Sequence, residues 1–220
     1  MNTDWDTLWP VFTTSIGQTL WMVAVTMVVG GFLGLLLGIL LYTTRRGGLL
    51  ENIPLHTALN VLVNFVRPIP FIIFITAVGP LTLRVVGTTI GTAAATFPLI
   101  VATTFGISRV VEQNLVTIDA GVIEAARSMG AGPARIITTL LVPEALGPLI
   151  LGYTFVFVSV VDATAIAGAV GGGGLGNFAI AYGYQRFNWT VTWIAVLTIV
   201  LLVQLAQFLG NWLAGRTLRR

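Results

Sequence analysis

Long uncharged runs separated by short polar segments set the pattern of this chain. No charged residue occurs between Asp6 and Arg45, and the centre of that run, 17–41, predicts a first membrane-crossing helix. Such a helix needs about 20 consecutive apolar residues. A second run, 58–79, is interrupted by Arg67-Pro68-Ile69-Pro70. A third, 87–107, contains Pro98; a fourth, 146–170, contains Asp162; a fifth covers 188–213. The expectation is an all-α membrane protein of five transmembrane helices in a single domain, 1–220, with its termini on opposite sides. A cleavable signal is not expected, since the start carries Asp4 and Asp6 in place of a basic segment.

Arginine placement predicts the orientation. With the N-terminus outside, the inner segments hold eight arginines (Arg45, Arg46, Arg109, Arg127, Arg135, Arg216, Arg219, Arg220), and the outer segments hold two, Arg84 and Arg186. Basic residues concentrate on the cytoplasmic side, so the reading is N-out/C-in, with 109–144 as the large inner loop. Gly30, Gly34 and Gly38 recur every four residues on the first span, and Gly87, Gly91 and Ala95 do so on the third. Small residues at that spacing let helix backbones approach closely, within one bundle or between subunits.

Composition sharpens this picture by exclusion. Of 220 residues, 56% are hydrophobic and 9% charged, against about a quarter charged in a soluble domain. Cysteine is absent, so disulfides and thiolate metal sites are excluded, and His56 alone makes no multi-histidine site. His56 is also the one candidate imidazole for an intramembrane hydrolase, and it stands in a polar inner segment. Lysine is absent too, which removes the P-loop route to ATP hydrolysis. No nucleic-acid partner is implied by the net charge of +3, because its arginines sit in loops between apolar runs.

Within the inner loop, Asp119 has the chemistry to cap a short helix that Gly130 ends. Pro133 suits the first turn of a second helix, and Pro143 is expected to stop it before the fourth span. Val122, Ile123, Ala126 and Met129 are expected on one side of the first helix, with Glu124, Arg127 and Ser128 towards the other. Such a helix either lies on lipid headgroups or inserts into a partner's groove.

Glu124-Ala125-Ala126, then Gly130, then Leu140-Leu141-Val142-Pro143 resembles the EAA signature of ABC importer permeases, with Leu140 and Val142 as mild apolar exchanges. In that family this loop is the coupling helix that docks on a cytoplasmic ATPase. The resemblance makes Glu124, Ala125, Ala126, Arg127, Met129, Gly130 and Pro143 the ATPase-coupling residues. Arg67-Pro68-Ile69-Pro70-Phe71, the run 168–176 and Tyr182-Gly183-Tyr184 are similar to the methionine importer permease family. That likeness implies a type I ABC importer permease fold and a homodimer in the bacterial inner membrane. It also implies two ATPase subunits that bind ATP and Mg, and an extracytoplasmic substrate-binding lipoprotein. The chain itself is expected to hold no cofactor and to catalyse nothing.

Candidate path or gate residues are Arg67, Pro68, Pro70, Asp162, Gly171, Gly172, Gly173 and Gly174. Two prolines within four residues predict a break in the second span, and breaks of this kind gather at transporter cavities. Arg67 beside it either meets a substrate carboxylate or plugs the structure, bonding freed carbonyls or Asp162, or snorkelling to an interface. Asp162 either holds a substrate ammonium or lines a water-filled path. Its segment, Asp162-Ala163-Thr164-Ala165-Ile166, departs from the Gly-Tyr-Ser-Ala-Met usual in the methionine family. Gly171 to Gly174 form either a plain turn or an outer gate, and Tyr182, Tyr184, Phe187 and Trp189 fit an interfacial aromatic belt. The leading reading is a methionine permease working by alternating access. The alternatives are an ABC permease for another amino acid, or a stand-alone secondary transporter coupled through Arg67 and Asp162. The secondary transporter lacks the internal repeats common in that class and leaves the long inner loop without a purpose.

Overall fold

The computed structural model describes residues 5–218. Asp4, Arg219 and Arg220, which entered the orientation argument, lie outside them. Eight helices organise the described residues: α1 Trp5–Thr44, α2 Ile53–Val66, α3 Phe71–Ala77, α4 Gly79–Val86, α5 Thr92–Val116, α6 Ala120–Ser128, α7 Pro133–Gly172 and α8 Trp189–Leu218. A helical connection, 174–186, joins α7 to α8. Helices α1, α5, α7 and α8 are each long and apolar enough to cross a membrane, and the bent pair α2–α3 makes a fifth crossing if taken as one span.

At 40 residues, α1 is far longer than the predicted 17–41. Its extra N-terminal turns are held by packing that no local pattern shows: Leu8 and Phe12 bury against Leu175, Phe178 and Val191. A wide turn at Thr26–Gly30 interrupts the α-helical bonding. Beyond it, the glycine stripe lies against α5 of the same chain. A Cβ on Gly34 would sit 2.7 Å from Ile107 Cβ, and one on Gly38 would sit 2.6 Å from the Ser108 carbonyl oxygen. Removing the side chains therefore brings two backbones into contact inside the bundle. The equivalent stripe expected on the third span does not form. Gly87 (φ +83°) ends α4 and Gly91 (φ +96°) precedes α5, both in a left-handed geometry that no helix interior adopts.

The second span is broken where the prolines predict. Asn52 Oδ1 accepts the Leu55 amide at 3.1 Å and starts α2, which ends at Arg67. The chain then turns through 109° into α3. Fourteen residues of α2 span only about 21 Å at 1.5 Å per residue, short of the ~30 Å hydrocarbon core.

Pro143 does not stop a helix. It lies inside α7, two residues after a wide turn at Ile137–Leu141. That turn re-spaces the backbone bonds just before the proline ring, so the second short helix and the fourth span are one rod. Arg109 likewise lies within α5, and the connection between α5 and α7 is shorter than the predicted 109–144.

Along one half of the bundle the core is Tyr42, Ile107, Val111, Ile136, Leu141 and Leu149. Contacts collect the C-terminus of α1, α6, the start of α7 and the end of α8 at one end: Arg127 reaches Gly48, and Leu218 covers Gly147. The glycine run lies at the other end. Phe155 (72% exposed) and Phe208 (72% exposed) project outward, the placement expected of side chains meeting lipid or a second subunit.

Candidate coupling helix and translocation path

The helix α6 is built by its own punctuation. Asp119 Oδ1 accepts the Gly121 amide at 2.6 Å, satisfying a donor that the first turn leaves free. At the other end, the Gly130 amide donates to Arg127 O at 2.9 Å and the Ala131 amide to Ala126 O at 3.1 Å. This is a Schellman closure, which requires the left-handed φ of +80° found at Gly130.

Its faces differ from the predicted split. Ala126 is buried and Ile123 half-buried, both packed into the chain's own core beside Ile136. Val122, Glu124, Ala125, Ser128 and Met129 are exposed, Met129 at 81%. Val122, Ala125 and Met129, spaced three and four apart, form an outward apolar stripe. Arg127 donates from Nη2 to Gly48 O at 3.2 Å, tying α6 to the loop after α1. Arg127 and Ala126 thus hold α6 in place, while Val122, Ala125 and Met129 remain exposed. Periodicity alone could not separate these faces, because the two stripes adjoin on one helix.

At the broken span, Arg67 stands at the mouth of a cavity of about 310 Å³ between α3, α5 and α7. It also lines a second, more polar cavity of about 410 Å³ with Asn64, Arg109, Glu112 and Gln113. The Arg67 side chain makes no hydrogen bond or ion pair among the described residues. Asp162 lies on an exposed face of α7 and has no such partner either. The two are therefore not an ion pair, and freed carbonyls do not bind Arg67. Pro68 and Pro70 shape the turn.

Sequence reasoning missed the polar cluster beside them. Arg109 Nη1 pairs with Glu112, and its Nη2 donates to Asn60 Oδ1 at 2.8 Å and to Asn64 Oδ1. This is the only salt bridge among the described residues. Its signal was the i,i+4 spacing of Asn60 and Asn64 opposite the i,i+3 spacing of Arg109 and Glu112, legible only once α2 is known to face α5. His56, expected in a loop, lies in α2 with Nδ1 3.1 Å from Leu41 O.

The glycine run is a clasp rather than a loose turn. Gln18 Oε1 accepts the Gly174 amide at 2.7 Å, Thr19 Oγ1 accepts the Leu175 amide at 2.9 Å, and Gly171 O accepts the Gly91 amide at 2.9 Å. At Gly173, φ is +76°, and a Cβ there would lie 2.6 Å from Gln18 Oε1. Glycine is required at this position twice over, by conformation and by space. Gly172 packs against Ala95, while Tyr184, Phe187 and Trp189 beyond it are exposed. Gln18 and Thr19 had no signal in the sequence; they are recruited by an element more than 150 residues away.

The bundle thus carries a capped short helix with an exposed apolar stripe at one end and a broken helix pair beside a cavity. Residues 30–219 match the family model of the binding-protein-dependent transport system inner membrane component, and the chain belongs to that family. It is 44% identical to a probable D-methionine transport system permease protein of Vibrio cholerae, over 92% of this chain and 90% of that one. It is 41% identical to the methionine import system permease protein of Bacillus subtilis, over 78% of each. It superposes on a chain of the MetNI methionine ABC transporter, solved in inward-facing conformations, with TM-score 0.93 and 38% identity, covering 98% of this chain and 99% of that one. The chain is thus the inner-membrane transport subunit of an ABC importer, in which ATPase activity resides in a partner subunit.

Proposed function

We propose that this permease carries methionine inward across the membrane as a homodimer, with two ATPase subunits that bind ATP and Mg and with an extracytoplasmic substrate-binding lipoprotein. The observation that carries the reading is α6: a capped helix held in cis by Ala126 and Arg127, with Val122, Ala125 and Met129 left uncovered. A bare apolar stripe on a fixed helix is the form a helix-in-groove contact takes. Methionine as cargo is supported by the names and extent of the relatives.

On this reading α6 lies on the cytoplasmic side and the chain runs N-out/C-in. Support comes from Arg45, Arg46, Arg127, Arg135 and Arg216, which gather at the end of the bundle where α6 lies. The single permease domain holds two functional regions: the coupling segment around Glu124 to Gly130 and Pro143, and a path flanked by Arg67, Asp162 and the clasp of Gly171 to Gly174. Likeness to an inward-facing transporter supports the clasp as the closed outer gate, which ATP binding by the partners opens in alternating access.

The test is ATP-driven uptake of labelled methionine into proteoliposomes containing permease, ATPase and binding protein, omitting each in turn. Uptake that needs all three and is competed by methionine alone among amino acids supports the reading. Uptake by the permease alone under an ion gradient overturns it.

A further inference from the structure

We infer that the cavity beneath the break in the second span is a membrane-embedded site for an apolar α-amino acid, with Arg67 as the carboxylate anchor. This rests on the reading of the chain as an amino-acid importer permease and adds to it a binding step inside the membrane.

Three observations converge. First, the chamber has a built shape. A half-open cleft of about 310 Å³ lies between Phe71 and Phe74 of α3, Thr103 and Gly106 of α5, and Ser159 of α7, with the exposed Phe155 at its rim. Small-molecule sites begin near this volume and are largely apolar with a few polar groups. Second, Arg67 at its mouth is unsatisfied, whereas Arg109 in the adjoining cavity is occupied by Glu112, Asn60 and Asn64. Arg67 is exposed at the end of α2, so its guanidinium is open to a ligand, and its planar fork matches a carboxylate in two parallel bonds. Third, the walls suit a flexible apolar side chain. Three phenylalanines line it, and thioether sulfur packs favourably against aromatic rings; no acidic side chain lines the chamber to repel a carboxylate.

The two cavities also share Arg67 and lie along successive turns of α5. Thr103, Gly106 and Val110 line the first, and Arg109, Gln113 and Val116 line the second. Arg67 therefore stands where an apolar chamber meets a polar vestibule, and a carboxylate held there faces its exit towards the end of the bundle that carries α6.

The test is binding of labelled L-methionine to the permease–ATPase complex in nanodiscs without the binding protein. The expected result is saturable binding, competed by norleucine but not by methioninol, which lacks the carboxylate. Arg67→Gln should weaken binding by about tenfold or more, equivalent to one charged contact, and Arg67→Lys by less. Gly106→Leu should abolish it by filling the chamber. That change suits the fold, since a Cβ at Gly106 meets nothing within 4 Å and leucine favours the helix. Size-exclusion profile and basal ATP hydrolysis report whether both variants assemble. No saturable binding to the wild type, or wild-type binding by both assembled variants, overturns the site. Uptake by the complete system is scored separately. Uptake without chamber binding removes this inference alone, and chamber binding without ATP-driven uptake removes the importer reading alone.

Discussion

Gln18 Oε1 accepts the backbone amide of Gly174 at 2.7 Å, joining the N-terminal half of α1 to a glycine run 156 residues later. With Thr19 holding the next amide at 2.9 Å, two adjacent side chains clasp two adjacent backbone donors. The clasp shapes a segment that glycine alone would leave loose.

Gln18→Ala should therefore leave the Gly174 amide without its partner, at a cost of about 1–3 kcal/mol. The expected reading is a lower Tm in detergent with the helical circular-dichroism signal intact. An unchanged Tm would show that the clasp contributes nothing to stability.

Gly38→Val should fail to fold, because its Cβ would press on Ser108 backbone and on Val111. The overpacking cost is at the upper end of about 1–3 kcal/mol or beyond. Gly17→Ala, on the same helix with open space around it, should behave as wild type. Yield and monodispersity in size-exclusion chromatography compare the two directly.

Thr26 Oγ1 is buried without a hydrogen-bond partner at the start of the wide turn in α1. Thr26→Val keeps the shape and removes the unsatisfied hydroxyl, so stability should stay equal or rise, within about 1 kcal/mol. A clear fall in Tm would reveal a bond to that hydroxyl in the membrane.

Met129→Asp should leave the permease folded and weaken its association with the ATPase by about 2 kcal/mol or more, the scale of a central interface residue. Ala126→Asp should instead destabilise the permease itself, since it places a carboxylate in the core. Copurification of the ATPase, set against permease yield, separates the two effects.

Features set by neighbouring residues were legible before any coordinates. Five apolar runs, the proline break after Arg67, the Asp119 and Gly130 ends of α6 and the close approach at Gly30, Gly34 and Gly38 each depend on spacing within one helix or turn. What distant packing decides was hidden. The turn before Pro143 lets α7 pass through a residue that ordinarily ends a helix. Gly87 and Gly91 kept a helical spacing while serving as turn residues on either side of a loop. Ala126 and Met129 differ in role only because Ile136 covers one of them. Glu124 and Asp162 carry charge patterns that name a candidate but no contact; each is exposed on its helix.

The continuity of α7 has a mechanical consequence. From Pro133 the helix runs on until the backbone kinks at Val170 and Gly171, a strut of roughly 55 Å at 1.5 Å rise per residue. One end begins three residues after the Gly130 corner, and the other ends in the clasp held by α1. A displacement applied to α6 thus reaches the far end as tilt of a stiff beam, with no loop between to absorb it. Its most compliant section, the wide turn at Ile137–Leu141, lies next to the load. A lever hinged there delivers its largest travel at the glycines.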